Sequence, residues 1–91
     1  MSNPSPQVTI YTKPGCPYCA DAKHLLTRKK VDYVEIDISR HPTERAAMIG
    51  RARGRSTVPQ IFIGSTHVGG CDDLYDLDGQ GRLDPLLASV G

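Results

Sequence analysis

The chain places Cys16-Pro17-Tyr18-Cys19 directly after the strand-like run Val8-Thr9-Ile10-Tyr11, and no other junction restricts the fold as much. Pro favours the first position of a helix, where its missing N–H costs nothing. Behind it Tyr18, Ala22, Leu25 and Leu26 recur at helical spacing, which predicts a helix from Pro17 to Lys29. Arg28, Lys29 and Lys30 sit where cations complement the end of the helix dipole. Two thiols on such a helix, with Pro17 and Tyr18 between them, share a face. Their separation approaches the ~5.5 Å between Cα atoms that a disulfide prefers. The pair can therefore pass between dithiol and disulfide with little movement.

The rest of the chain alternates strands and helices. Residues 31–38 alternate in polarity as a second strand. A second helix is opened by Pro42 and Glu44, carries Ala46, Met48 and Ile49, and closes before Gly54. Gln60-Ile61-Phe62-Ile63 is a third strand, and Gly64-Ser65 turns it towards a short fourth around His67 and Val68. Beyond Gly69-Gly70, helices are predicted over 72–77 and 85–90, burying Leu74, Leu77, Leu83, Leu86 and Leu87. The order β-α-β-α-β-β-α-α implies a parallel pair joined by a right-handed crossover, followed by a hairpin. The expected fold is α/β: a mixed four-stranded sheet with helices on both faces. A C-x-x-C at the first strand–helix junction of such a unit reads as a thioredoxin-like redox motif.

Size and charge narrow the function. The 91 residues make one small domain over 8–91, after a short flexible lead over 1–7. Five aromatics without Trp point to an aliphatic core. A formal net charge of +1 argues against bulk electrostatic binding to nucleic acid or membrane. No stretch approaches the ~20 apolar residues of a membrane helix, and the start lacks the pattern of a signal peptide. A cytoplasmic protein is expected. Three cysteines leave one unpaired in any disulfide scaffold, and in a reducing compartment a disulfide is more often catalytic than structural. A zinc site needs two more ligands at matching spacing, but His24, His41, His67 and Cys71 are scattered. No metal is expected.

The two thiols should differ in role. Cys16 falls at the helix N-cap, where unpaired N–H groups and the positive end of the dipole favour a thiolate. Lys13 adds a cation on the preceding loop. Cys19, a turn further in, should keep a more ordinary thiol. Cys16 attacks and Cys19 resolves. The plainer reading of Cys19, a small buried hydrophobe, leaves its spacing to Cys16 unexplained.

Three motifs then occur in order: Tyr11-Thr12-Lys13 ahead of Cys16-Pro17-Tyr18-Cys19, Thr57-Val58-Pro59-Gln60-Ile61-Phe62-Ile63, and Gly69-Gly70-Cys71-Asp72-Asp73-Leu74. On these the chain resembles the dithiol glutaredoxins over nearly its full length. The closing run Leu83-Asp84-Pro85-Leu86-Leu87 is similar to that of short bacterial members. The resemblance implies a thioredoxin fold and a glutathione-dependent thiol–disulfide oxidoreductase. Glutathione would be the co-substrate, with no permanently bound cofactor.

The resemblance also implies a cis peptide before Pro59, in a Thr57-Val58-Pro59 loop facing the thiols. Val58 backbone groups would pair with the cysteinyl part of glutathione. Gly70, Cys71 and Asp72 would take the γ-glutamyl end, its carboxylate on helix N–H groups and its ammonium on the Asp72 side chain. Plain turn formation by Pro59 and N-capping by Asp72 or Asp73 are the simpler readings. For the glycyl carboxylate the cations are Lys13 and Arg45. Arg51, Arg53 and Arg55 read mostly as solvated charges. Tyr18 would cover one side of the groove. Cys71 is expected to be buried and unreactive, the three His to lie at the surface, and Tyr75 to pack.

Partners implied are glutathione, protein disulfides and glutathionylated proteins, with ribonucleotide reductase among the candidates and glutathione reductase acting indirectly. A monomer is expected. Two other readings fit less well. A thioredoxin-like donor reduced by a flavoenzyme is disfavoured by the absence of Trp before Cys16 and by the zwitterion-suited segment 69–73. A dimeric [2Fe–2S] carrier is disfavoured by Pro17 and Tyr18, where such members have Gly-Phe-Ser after the first Cys.

Overall fold

The computed structural model describes residues 8–89. The expected lead over 1–7 and the last residue of the expected final helix, Val90, lie outside them. In chain order the elements are β1 (Val8–Thr12), α1 (Pro17–Arg28), β2 (Tyr33–Asp37), α2 (Pro42–Arg51), β3 (Gln60–Ile63), β4 (Thr66–Gly69), α3 (Cys71–Gly79) and α4 (Leu83–Ser89).

The sheet runs β2-β1-β3-β4. β1 lies parallel to β2, with Val8 opposite Tyr33, and antiparallel to β3, with Ile10 opposite Ile61. β3 and β4 form the antiparallel hairpin. A parallel pair needs a long crossover, and α1 supplies it. Both inner strands are buried at every position, whereas β2 and β4 on the edges are partly exposed. That is why the β1 and β3 sequences show no strict alternation of polar and apolar residues.

Strand periodicity sends alternate side chains to opposite faces. Val8, Ile10, Ile61 and Ile63 pack with Ala22, Leu25 and Leu26 of α1, Leu74 of α3, and Leu83 and Leu87 of α4. Tyr11 and Phe62 point the other way, under Ile38 and the Met48–Ala52 end of α2. Each fully buried Leu or Ile contributes about 1.5–3 kcal/mol, so the three-helix face holds most of the stabilising burial. Lys29 joins those helices at the rim, with its ammonium 2.6 Å from Asp78 and 2.9 Å from Asp84.

Several expectations shift. β2 is shorter than residues 31–38, because Val31 and Asp32 precede its pairing and Ile38 follows it. α3 spans Cys71–Gly79, longer than 72–77, and α4 starts at Leu83. Pro85 does not delay that start, because proline is tolerated in a helix's first turn. Ala46 is exposed on α2, and Leu77 and Leu86 are half-buried. Tyr18 has the spacing of the α1 core face, yet 62% of its surface is exposed. At the first turn of α1 that face overlooks a groove.

Candidate active site

Cys16 is the N-cap of α1, in extended backbone at φ −101° and ψ 105°, with Pro17 behind it. Its Sγ accepts the Cys19 backbone N–H at 3.1 Å. The first turn of α1 carries no acidic residue, so no carboxylate of that turn offsets the positive end of the helix. The Val58 carbonyl oxygen stands 3.9 Å from the same Sγ. Cys16 is half-buried, and Cys19 is 2% exposed. Burial pushes the Cys19 thiol up to about 12, and its hydrogen bond and charge interaction with Cys16 add to this. A backbone hydrogen bond from Lys13 and the charge of Lys23 pull the other way. The motif thus pairs a reachable sulfur that accepts an N–H with a buried sulfur that holds its proton.

Two clefts flank Cys16. One, of ≈ 560 Å³, is lined by Lys13, Cys16, Tyr18, Arg45, Thr57 and Val58 among others. The other, of ≈ 270 Å³, is lined by Tyr18, Arg55, Thr57, Val58, Pro59, Gly70, Cys71, Asp72 and Asp73. Because Tyr18, Thr57 and Val58 belong to both, the clefts form one groove passing the Cys16 sulfur. The eleven residues picked from the sequence divide between these linings, except Cys19, which neither cleft reaches.

The ends of the groove differ in charge. Lys13 and Arg45 give one end two cations. At the other end α3 begins, and Cys71 and Asp72 occupy its first two positions, where N–H groups have no carbonyl a turn back. Asp73 takes the capping role: its carboxylate accepts the Gly70 N–H at 2.9 Å. Asp72 is exposed beside it. Gly69 has φ +116°, and a Cβ there would overlap the Asp73 carboxylate and come within 2.9 Å of Arg55. Only glycine lets these side chains lie so close to the strand.

The Val58–Pro59 bond is cis. Thr57 is fixed from inside: its Oγ1 accepts from Nε2 of the fully buried Gln60 at 3.2 Å, and Gln60 Oε1 lies 2.7 Å from His67 Nε2. The His67 ring stacks on Phe62 at 4.9 Å, so this histidine is built into the fold. Burial, then Arg55 and Arg53, push its pKa down. His24 and His41 are exposed. Among the described residues no group of three or more His, Cys, Asp or Glu is arranged to hold a metal ion, and no helix is long and apolar enough to cross a membrane.

Arg55 is the residue that sequence reasoning missed. Its guanidinium lies 3.3 Å from the Asp73 carboxylate and lines the groove. Arg51 is instead taken up by packing, donating to Tyr11 Oη at 3.0 Å and lying 4.2 Å above the Phe62 ring. The available signal was tether length: only Ser56 separates Arg55 from Thr57, whereas Arg51 belongs to the last turn of α2. Cys71 is 7% exposed, and burial first, then Asp21, Asp72 and Cys16, pushes its thiol up. Tyr75, though partly exposed, donates its hydroxyl to the Asp21 carbonyl at 3.0 Å and ties α3 to α1.

Comparison with known proteins places this geometry. The family model "Glutaredoxin" matches residues 8–68. Glutaredoxin 3 of Escherichia coli K12 is 58% identical over 80 residues, covering 88% of this chain and 95% of its own. The solution structure of a Brucella melitensis glutaredoxin, 60% identical, superimposes with a TM-score of 0.81 over 93% of this chain and 91% of that one. A buckwheat glutaredoxin solved with glutathione is 30% identical, with a TM-score of 0.85 over 94% of this chain and 80% of that one. The sheet order, the paired thiols and these likenesses agree: the chain belongs to the glutaredoxin family.

Proposed function

We propose that Cys16 and Cys19 divide the work of a glutathione-dependent thiol–disulfide oxidoreductase, the activity that goes with the family. The observation that carries the assignment of roles is the contrast at α1: Cys16 Sγ is reachable and accepts an N–H, while Cys19 is buried. The attacking sulfur has to be within reach of a substrate disulfide, whereas the resolving sulfur has only to reach Cys16 once the mixed disulfide has formed.

In the one-thiol route the Cys16 thiolate attacks the glutathione sulfur of a mixed disulfide and the substrate thiol leaves. A second glutathione then attacks the glutathionyl-Cys16 sulfur, regenerating the thiolate and releasing glutathione disulfide. In the two-thiol route Cys16 attacks a protein disulfide, Cys19 displaces the bound half, and two glutathiones restore the dithiol.

The groove suits glutathione laid lengthwise. Lys13 and Arg45 would take the glycyl carboxylate, the Val58 backbone the cysteinyl residue, and the α3 N-terminus with Asp72 the γ-glutamyl zwitterion. Tyr18, Thr57, Pro59, Gly70 and Cys71 complete the walls. That a buckwheat relative was solved in complex with glutathione supports glutathione as the occupant. Since one chain supplies every group, a monomer suffices, and we read residues 8–91 as one unit. A cytoplasmic location and substrates that include ribonucleotide reductase fit the same reading.

Two variants test it. Cys16→Ser should abolish both routes. Cys19→Ser should keep turnover of a glutathionylated peptide and lose reduction of a protein disulfide. Equal loss of both activities in the two variants would refute the division of labour.

A further inference from the structure

Cys19 opens to neither cleft of the glutathione groove but to an adjoining recess of ≈ 580 Å³, which shares Lys13, Gly15, Cys16 and Pro17 with the cationic cleft. Its charged lining is Lys13 from the β1–α1 loop, Lys23 from α1, and Glu35 and Asp37 from β2, with Cys16 at its edge. Lys23 stands one helical turn beyond Cys19 and shares its face. Glu35 fixes Lys23, with its carboxylate 3.0 Å from the ammonium, and is itself held by the Thr12 hydroxyl at 2.7 Å. Asp37 is engaged by Ser39, accepting from its backbone N–H and hydroxyl at 2.9 and 2.6 Å.

We propose that Lys23, held by Glu35, is a positioning residue that readies Cys19 to resolve the mixed disulfide, and that this recess is the exit for the Cys19 proton. The proposal rests on the thiol-exchange reading above. Resolution requires Cys19 to lose its proton while Cys16 is bonded to substrate. In the free enzyme, burial and the neighbouring Cys16 oppose that loss. Once the Cys16 sulfur is in a disulfide it carries no charge, and Cys16 no longer opposes ionisation. Burial is then countered by the Lys13 backbone N–H and the Lys23 ammonium. Cys19 is thereby released for its step by the step before it.

Neither charged partner takes the proton. Glu35 pushes Lys23 up, which keeps it an ammonium, and Thr12 first, then Lys23, holds Glu35 down as a carboxylate. The proton passes to water in the recess. The Cys19 thiolate attacks the Cys16 sulfur, the Cys16–Cys19 bond forms, and the bond from Cys16 to substrate breaks. Its electron pair leaves on the substrate sulfur, which then takes a proton from water. The substrate disulfide has been reduced, and the enzyme dithiol oxidised.

The test uses the full chain with Lys23→Met, Glu35→Gln and Lys23→Arg. Turnover of a peptide disulfide and of a glutathionylated peptide is followed from pH 6 to 9. For Lys23→Met the ratio of the first rate to the second should fall about three- to tenfold at pH 7. The pH profile of disulfide reduction should move to higher pH. Glu35→Gln should give a smaller change in the same direction, and Lys23→Arg should restore the ratio. A second measurement follows iodoacetamide labelling of Cys19 in the Cys16→Ser background, where Lys23→Met should displace the labelling profile to higher pH. An unchanged ratio, or unchanged Cys19 labelling, overturns the proposal. Loss of both turnovers in the unsubstituted chain would instead overturn the exchange reading itself.

Discussion

Two helix N-termini face the same groove and use the same dipoles for different ends. α1 is capped by a thiol, with no acid in its first turn, and directs an N–H at the Cys16 sulfur. α3 is capped by Gly70, carries Asp72 and Asp73 in its first turn, and directs the Gly70 N–H at the Asp73 carboxylate. At α1 the helix charge is left for a reacting atom. At α3 part of it is neutralised internally, and a carboxylate is left over to meet a cation. The lesson is that the side chains of the first turn, more than the dipole, determine whether a helix start makes a nucleophile or a docking point.

The most severe way to break this contrast is to give α1 a cap of the α3 kind. Cys16→Asp should abolish both turnovers and leave the melting temperature unchanged or higher, because Asp is a strong N-cap. A large drop in melting temperature would show that the thiol is needed for folding. Next is Gly69→Ala, which places a Cβ at φ +116° against Asp73 and Arg55. A cost of about 1–3 kcal/mol is expected, read by urea unfolding, together with weaker glutathione binding by calorimetry.

Asp73→Ala removes the carboxylate that accepts from Gly70 and pairs with Arg55. It should cost about 0.5–2 kcal/mol and raise KM for glutathione more than it lowers kcat. A milder change puts an acid into α1. Tyr18→Glu should slow Cys16 alkylation at neutral pH about two- to fivefold, as a dipole interaction of ~0.3–1 kcal/mol allows.

The pH dependence of stability is subtler and has two limbs. Glu35 is held below its ordinary value of 4.5 by Thr12 first, and Asp37 below 3.8 by Ser39 first. Their contribution is present above those values and drains away as pH falls through the lower folded ones. Cys19 is the reverse case, raised from 9.0 to about 12, chiefly by burial. Its contribution is complete below pH 9 and drains as pH rises towards 12. Melting scans across pH should fall off at both extremes, with Cys19→Ala flattening only the alkaline limb.

The fold was legible because its patterns are local. Proline marks the starts of α1 and α2, apolar runs mark β1 and β3, and glycine pairs with the α3 start. Tyr18 shares the spacing of the α1 core face yet lines the groove, because spacing reports which face of a helix a residue occupies, not whether anything lies above that face. In the site, Lys13, Thr57 and Asp72 stand out because their motifs are contiguous. Arg55 and Lys23 did not, since the partners that give them meaning, Asp73 and Glu35, are remote in the chain. The recess beside Cys19 was hidden for the same reason, because the charges of the edge strand that help line it, Glu35 and Asp37, read in sequence as ordinary solvated side chains.

The groove joins Lys13, Thr57 and Asp72, which the ribosome delivers at widely separated times. A growing chain therefore exposes both sulfurs long before the tripeptide has anywhere to lie. Both sulfurs are made well before the far wall of the groove, so the part of the site that would confer selectivity is the last to be added.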